Sequence, residues 1–109
     1  MKLNFDVTRQ EYTIIKSILI THLLPDCTVW VFGSRAKHQA HCCSDLDLAI
    51  SCGNKLNAAT LLDLKEALDD SPIRYAIDIV DIQAISDDFR QSIMPDFVDF
   101  GLYRCVRLS

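Results

Sequence analysis

Apolar residues spaced three or four apart predict a first helix with one buried face. They are Tyr12, Ile15, Ile18, Leu19 and Leu23. Thr8 and Glu11 stand three residues apart, the spacing of a capping box, in which each side chain accepts a hydrogen bond from the other residue's backbone amide. Pro25 disfavours a helical residue before it, so the helix should end near Leu24.

Three runs rich in β-branched, aromatic or alternating apolar residues predict strands. They span Thr28–Phe32, Leu46–Ser51 and residues 75–82. Residues 35–37 are expected to form a short helix, a second long helix should follow the cap Asn57, and a shorter helix should follow the cap Ser86. Pro95 should end the last helix, and the apolar tail, residues 97–106, should pack as a short strand or an irregular segment.

The element order is therefore helix, strand, strand, helix, strand, helix. This order predicts an α/β (α+β) fold, in which a small mixed β-sheet has its helices packed on one face. The chain has 109 residues, half of them hydrophobic. That length suits one domain with a real core, so residues 1–109 are predicted to form a single domain.

The composition indicates which cellular location and which classes of partner to expect. The net charge is -4 and no basic stripe is present, which disfavours long nucleic acid as a partner. No run of about 18 apolar residues occurs, so no membrane span is expected. The first residues lack the apolar run of a signal peptide, which favours a cytoplasmic location.

The cysteines are expected to be free thiols, because they are odd in number and no secretion signal accompanies them. They are Cys27, Cys42, Cys43, Cys52 and Cys105. A crowded group, His38, His41, Cys42 and Cys43, suggests a zinc site. Neighbouring ligands rarely close a tetrahedron, however, so this interpretation is weak.

Gly33 and Ser34 follow the first predicted strand directly, within the sequence Phe-Gly-Ser-Arg. A glycine there lets a phosphate approach the backbone closely. The two amides and the Ser34 hydroxyl would suit an oxyanion. The same dipeptide is also a common turn, so alone it indicates little.

Asp45 and Asp47 alternate with leucines at the start of the second strand, so both should project from one face. Alone, such a pair is most often solvated. Asp78 adds a third carboxylate within an apolar strand, where a charge needs a partner. If these strands are neighbours, the three acids form one cluster, and carboxylate oxygens suit magnesium. Asp81 should face away from Asp78 and end the strand.

These motifs together resemble the signature of the polymerase-beta-type nucleotidyltransferase superfamily. Gly33-Ser34, a spacer of ten residues, Asp45-x-Asp47 and a later Asp78 all match it. The likeness to its minimal members covers essentially the whole chain and implies the nucleotidyltransferase fold. One position departs from the pattern, because His38 stands where the family usually has glycine, which bears on the loop geometry and on activity.

The resemblance implies the roles of the site residues. Asp45, Asp47 and Asp78 would be catalytic and would bind two Mg²⁺ ions, and ATP would be the nucleotide donor. Asp78 would orient or deprotonate the acceptor hydroxyl. Gly33 and Ser34 would bind the nucleotide's terminal phosphates. Arg35 would neutralise phosphate charge or, alternatively, lie on the surface, and Lys37 is expected to be solvated.

The resemblance also implies a partner. Minimal members pair with HEPN-type helical toxins, and the enzyme is thought to transfer AMP to a toxin tyrosine. A homo-oligomer, a small-molecule enzyme of the aminoglycoside type, and a non-catalytic docking module remain alternatives. For the docking module, the candidate surface is aromatic, although packing in the core is the favoured interpretation of these residues: Tyr75, Phe97, Phe100 and Tyr103.

Overall fold

The computed structural model describes residues 5–39 and 44–102 of the chain. Its helices are α1 (Arg9–His22), α2 (Ala58–Asp69) and α3 (Asp87–Ile93), with a 3₁₀ turn at Met94–Asp96. Its strands are β1 (Thr28–Phe32), β2 (Leu46–Ser51), β3 (Ile77–Asp81) and β4 (Val98–Asp99). Within the described ranges, no helix has the length and apolar character needed to cross a membrane.

The four strands form one mixed sheet in the order β3-β2-β1-β4. β1 is antiparallel to both β2 and β4, whereas β2 and β3 run parallel. The connection from β2 to β3 passes through α2, as a parallel pair requires. The predicted α+β fold class is therefore confirmed, including the assumption that the second and third strands are neighbours.

The predicted caps fix the starts of the helices. Thr8 and Glu11 form a reciprocal capping box, with both hydrogen bonds at 3.0 Å. Asn57 accepts from the amide of Ala59 at 2.7 Å, and Ser86 caps α3. Each cap satisfies amides that have no partner inside the helix, which explains why the helices begin where the sequence predicted.

The main core lies between the sheet and the pair α1 and α2. Ile15 and Leu19 of α1 and Leu64 of α2 are fully buried there. A smaller apolar cluster lies on the other side of the sheet, where Ile93 of α3 packs with Phe32 and others. The prediction that the helices cover one face thus holds for α1 and α2, while α3 lies on the opposite face.

The boundaries differ from the predictions in two places. Residues 35–37 form consecutive turns instead of a helix, because the amides of Ala36 and Lys37 bond back to Gly33 and Ser34 without a continuing ladder. β3 spans Ile77–Asp81, so it starts two residues later and ends one residue earlier than predicted. Residues 98–99 form the short strand expected within the tail, and residues 103–106 lie outside the described part.

The prediction of free thiols is wrong for two of the five cysteines. Cys27 and Cys52 form a disulfide. They flank the antiparallel pair Thr28 and Ser51, so the β1–β2 pairing itself brings them together. The odd number of cysteines and the lack of a secretion signal, on which the prediction rested, say nothing about which cysteines the strand pairing brings together. The other three cysteines, and His41 of the weak zinc interpretation, lie outside the described residues.

Candidate active site

The acidic cluster is assembled by strand register. Asp47 of β2 and Asp78 of β3 are direct partners in the parallel ladder, so their side chains emerge next to each other on the same face. Asp45 is exposed and lies one residue before β2 begins. The sheet therefore pairs Asp47 with Asp78, and Asp45 lies near enough for its charge to act on Asp47.

Partial burial and the arrangement of the three acids raise the pKa of Asp47. Its pKa is raised above the usual 3.8 by partial burial first, and then by the negative charges of Asp78 and Asp45. Each of these causes penalises the ionised form. The site therefore concentrates negative charge in a way that a bound cation would relieve.

The donor chemistry fits a hard divalent cation, since carboxylate oxygens are the ligands such ions prefer. In the structure, however, the three carboxylates do not form a complete set of metal ligands. Within the described ranges, no three His, Cys, Asp or Glu side chains converge closely enough to hold a metal ion. The backbone thus places Asp47 and Asp78 next to each other, which is what carries the fit to a cation.

Gly33 lies directly against this cluster. Its φ is +78°, which side-chain-bearing residues rarely adopt. A Cβ placed there would collide with Asp47 Oδ2 and stand 3.3 Å from Asp47 Cγ. Gly33 immediately follows Phe32, the β1 partner of Asp47, so the turn is folded onto the acid. The Gly-Ser motif and the acid motif, separate in sequence, are therefore one site.

Arg35 lies inside the fold rather than on its surface. Its side chain is buried, with its guanidinium donating to the main-chain carbonyls of Ser44 at 3.0 Å and Asp6 at 2.7 Å. The guanidinium carbon also lies 3.7 Å from the centroid of the Tyr75 ring. The alternative that Arg35 is a surface residue is wrong, and its phosphate contact stays a prediction.

Asp6 was not singled out from the sequence, yet it clamps the loop after β1. Its amide donates to the Arg35 carbonyl at 2.8 Å, and its carbonyl accepts from Arg35. Its carboxylate lies 2.6 Å from His38 Nδ1. These partners are about thirty residues away, and no local pattern around Asp6 indicates them.

His38, the departure from the family pattern, has a φ of +58°. This is the left-handed conformation that glycine adopts without cost, which explains the family's preference. The structure accommodates histidine there, and the contact with Asp6 offsets part of the strain. Histidine thus occupies a left-handed backbone position in this loop.

Two substitutions separate the strain from the contact. His38→Gly should leave the free energy of unfolding within about 0.5 kcal/mol of the wild type, because relief of strain offsets loss of the Asp6 contact. His38→Ala loses the contact and keeps the strain, so it should be about 1 kcal/mol less stable than His38→Gly. Urea denaturation measures both. Equal stability of the two variants would contradict this account.

The remaining candidates are placed as follows. Asp81 is buried and accepts from the amides of Leu56 at 2.7 Å and Gln83 at 3.0 Å, so it faces away from the acidic cluster as predicted. Lys37, predicted to be solvated, is about half exposed and pairs with Asp96 at 3.2 Å.

The proposed aromatic contact surface is largely core. Tyr75 and Phe100 are buried, and Phe97 stacks on Trp30 with 5.1 Å between ring centroids. Tyr103 lies outside the described residues. The interpretation that these side chains pack the interior is therefore confirmed for Tyr75 and Phe100.

Comparison with known proteins agrees with this geometry. Residues 13–96 match the family described as "Polymerase beta, Nucleotidyltransferase". The chain belongs to this nucleotidyltransferase family. It is 42% identical over 93 residues to a Haemophilus influenzae protein named "Probable protein adenylyltransferase MntA". The matched region covers 85% of this chain and 81% of that protein.

Solved structures show the same fold. A chain of a toxin–antitoxin complex with AMP-PNP superposes with a TM-score of 0.69 at 22% identity, covering 82% of this chain and 71% of that one. A chain from the complex of tri-AMPylated Shewanella oneidensis HEPN toxin with MNT antitoxin gives a TM-score of 0.54 at 20% identity, with coverage of 82% and 71%. At these identities the likeness establishes the fold alone.

Proposed function

We propose that this nucleotidyltransferase acts in the cytoplasm as an antitoxin, transferring AMP from ATP to a tyrosine hydroxyl of a HEPN-type toxin partner. The observation that carries the proposal is the register pair of Asp47 and Asp78, with Asp45 beside it and Gly33 folded onto Asp47. The acceptor is supported by the 42% identical relative named as a protein adenylyltransferase.

In the proposed reaction, the acceptor tyrosine oxygen forms a bond to the α-phosphorus of ATP. The bond from that phosphorus to the bridging oxygen breaks, and pyrophosphate leaves. Asp78 is the exposed acid of the register pair, so an incoming hydroxyl can reach it, and it takes or orients the hydroxyl proton. Gly33 and Ser34 hold the leaving phosphates through their amides and the Ser34 hydroxyl.

Asp45, Asp47 and Asp78 would hold Mg²⁺, and two ions are proposed. The ions would supply charge neutralisation of the attacking and leaving oxygens. The chain's own contribution is to hold Asp47 and Asp78 side by side on one sheet face, with Asp45 just before β2, and to keep the Gly33 backbone against Asp47. The raised pKa of Asp47 supports this role. Burial and the negative charges of Asp78 and Asp45 disfavour its ionised form, and a bound cation would stabilise that form.

The test compares two labels of the same nucleotide. The protein is incubated with the candidate HEPN partner, Mg²⁺ and ATP labelled at either the α- or the γ-phosphate. Label should reach the partner from α-labelled ATP only, and the Asp45→Asn/Asp47→Asn double variant should transfer none. Transfer of the γ-label would make the chain a phosphotransferase. Tight partner binding without any transfer would favour the docking module.

A further inference from the structure

Arg35 is a buried cation whose described hydrogen bonds run to the main chain. Its Nε donates to the carbonyl of Ser44 and its Nη1 to the carbonyl of Asp6, and only 6% of the residue is exposed. A planar guanidinium donates in fixed directions and so can set the distance between two backbone segments. A compact ammonium has no such fork.

The Ser44 carbonyl is a significant partner because Asp45 is the next residue. Asp45 lies before the first residue of β2, so the strand ladder does not include it. On its other side, the amide of Leu46 donates to the carbonyl of Ala76 at 2.9 Å. The main chain of Asp45 is therefore anchored on both sides, by Arg35 before it and by Ala76, the residue that precedes β3, after it.

Tyr75 extends the same anchor to the third acid. Its ring lies under the Arg35 guanidinium, and its hydroxyl donates to Glu11 at 2.9 Å. Tyr75 stands three residues before Asp78, next to Ala76. The Arg35 side chain thus contacts both segments that lead into the acid-bearing strands, through the Ser44 carbonyl and the Tyr75 ring. The backbone of Arg35 itself belongs to the turn that begins at Gly33.

We propose that Arg35 is a positioning residue of the acidic cluster: its guanidinium fixes the main chain that carries Asp45, and thereby the placement of Asp45 relative to Asp47 and Asp78. In this role it acts through the backbone and makes no contact with the nucleotide. The effect on rate rests on the proposed function, whereas the effect on the backbone does not.

The informative variant is Arg35→Lys. It keeps the positive charge and most of the aliphatic stem but loses the two fixed donors. A phosphate-neutralising residue would tolerate this change, and a positioning residue would not. Lys37→Gln is the matched control, because it removes a cation from the same loop at an exposed position that pairs with Asp96.

Amide hydrogen exchange followed by NMR measures how firmly the main chain around Asp45 is held. In Arg35→Lys the Leu46 amide should exchange about tenfold faster or more than in the wild type, while the amides of Val31 and Ile50 in the ladder stay unchanged. Lys37→Gln should match the wild type throughout. Unchanged exchange at Leu46, or a uniform increase across the sheet, would overturn the proposal. The uniform increase would make Arg35 a residue of global stability.

Kinetics with the partner provides the second readout. Arg35→Lys should lower kcat by about tenfold or more and leave the KM for ATP within about threefold, since misplaced acids slow chemistry more than binding. A raised KM with normal kcat would instead make Arg35 a nucleotide ligand. If the wild type itself transfers nothing, the proposed function fails, and the exchange experiment still decides whether Arg35 positions the acids.

Discussion

Replacing Asp47 with asparagine is expected to lower the rate of nucleotide transfer by a factor on the order of 10³ or more, with the fold intact. Asp47 is the central acid, in register with Asp78 and electrostatically coupled to both Asp78 and Asp45. Asparagine keeps the shape and removes the charge. Single-turnover transfer to the partner measures the loss.

The matched control is Asp63→Asn, which removes an exposed acid from α2, the helix on the opposite face of the sheet. This variant should transfer at the wild-type rate. A comparable loss in both variants would mean that net charge, rather than the cluster, determines the rate. Near-normal turnover of Asp47→Asn would contradict the assigned site.

The same substitution should not lower stability at neutral pH in metal-free buffer. Because the folded-state pKa of Asp47 is raised, this side chain binds more protons in the folded than in the unfolded state between about 3.8 and that raised value. The contribution of Asp47 to the free energy of unfolding should therefore fall as pH rises through this window, and the penalty should persist above it. Asp47→Asn should lack this loss and be at least as stable at pH 7, as urea denaturation at several pH values would show.

Gly33→Ala is expected to reduce transfer by about a hundredfold or more, because a Cβ at this position collides with Asp47 Oδ2. The positive φ adds a destabilisation of about 1–2 kcal/mol. Either the turn or the carboxylate must move, and both belong to the site. Transfer kinetics and thermal unfolding measure the two effects separately.

Gly53→Ala is the matched control for backbone strain. Gly53 has a φ of +83°, close to that of Gly33, but no atom lies within 4 Å of its added Cβ. It should lose similar stability and keep full activity. The excess effect of Gly33→Ala then reports the contact with Asp47. Equal activity of the two variants would mean that the contact has no part in transfer.

Much of this fold follows from local patterns. The caps at Thr8, Asn57 and Ser86 and the bounds of β1 and β2 were predicted because each rests on neighbouring residues. The acidic cluster was also predicted, from the two-residue spacing of Asp45 and Asp47, although the structure places Asp45 just before β2. Only the assumption that β2 and β3 are neighbours was needed to add Asp78, and the parallel register satisfies it.

The features that were missed depend on contacts between distant residues. Arg35 turns inward because Asp6 and Tyr75 meet it there, and neither is near it in sequence. Cys27 and Cys52 meet only because β1 and β2 are antiparallel. The position of α3 was missed for a similar reason, because it depends on which sheet face Ile93 finds, and helical periodicity carries no information about that.

The most direct test of the central claim is the intact mass of the HEPN-type partner after incubation with ATP, Mg²⁺ and either the wild type or Asp47→Asn. The account predicts that the wild type adds whole AMP units to the partner, located on tyrosine by fragmentation, and that Asp47→Asn leaves the mass unchanged. An unmodified partner with the wild type, or equal modification by both proteins, would contradict it.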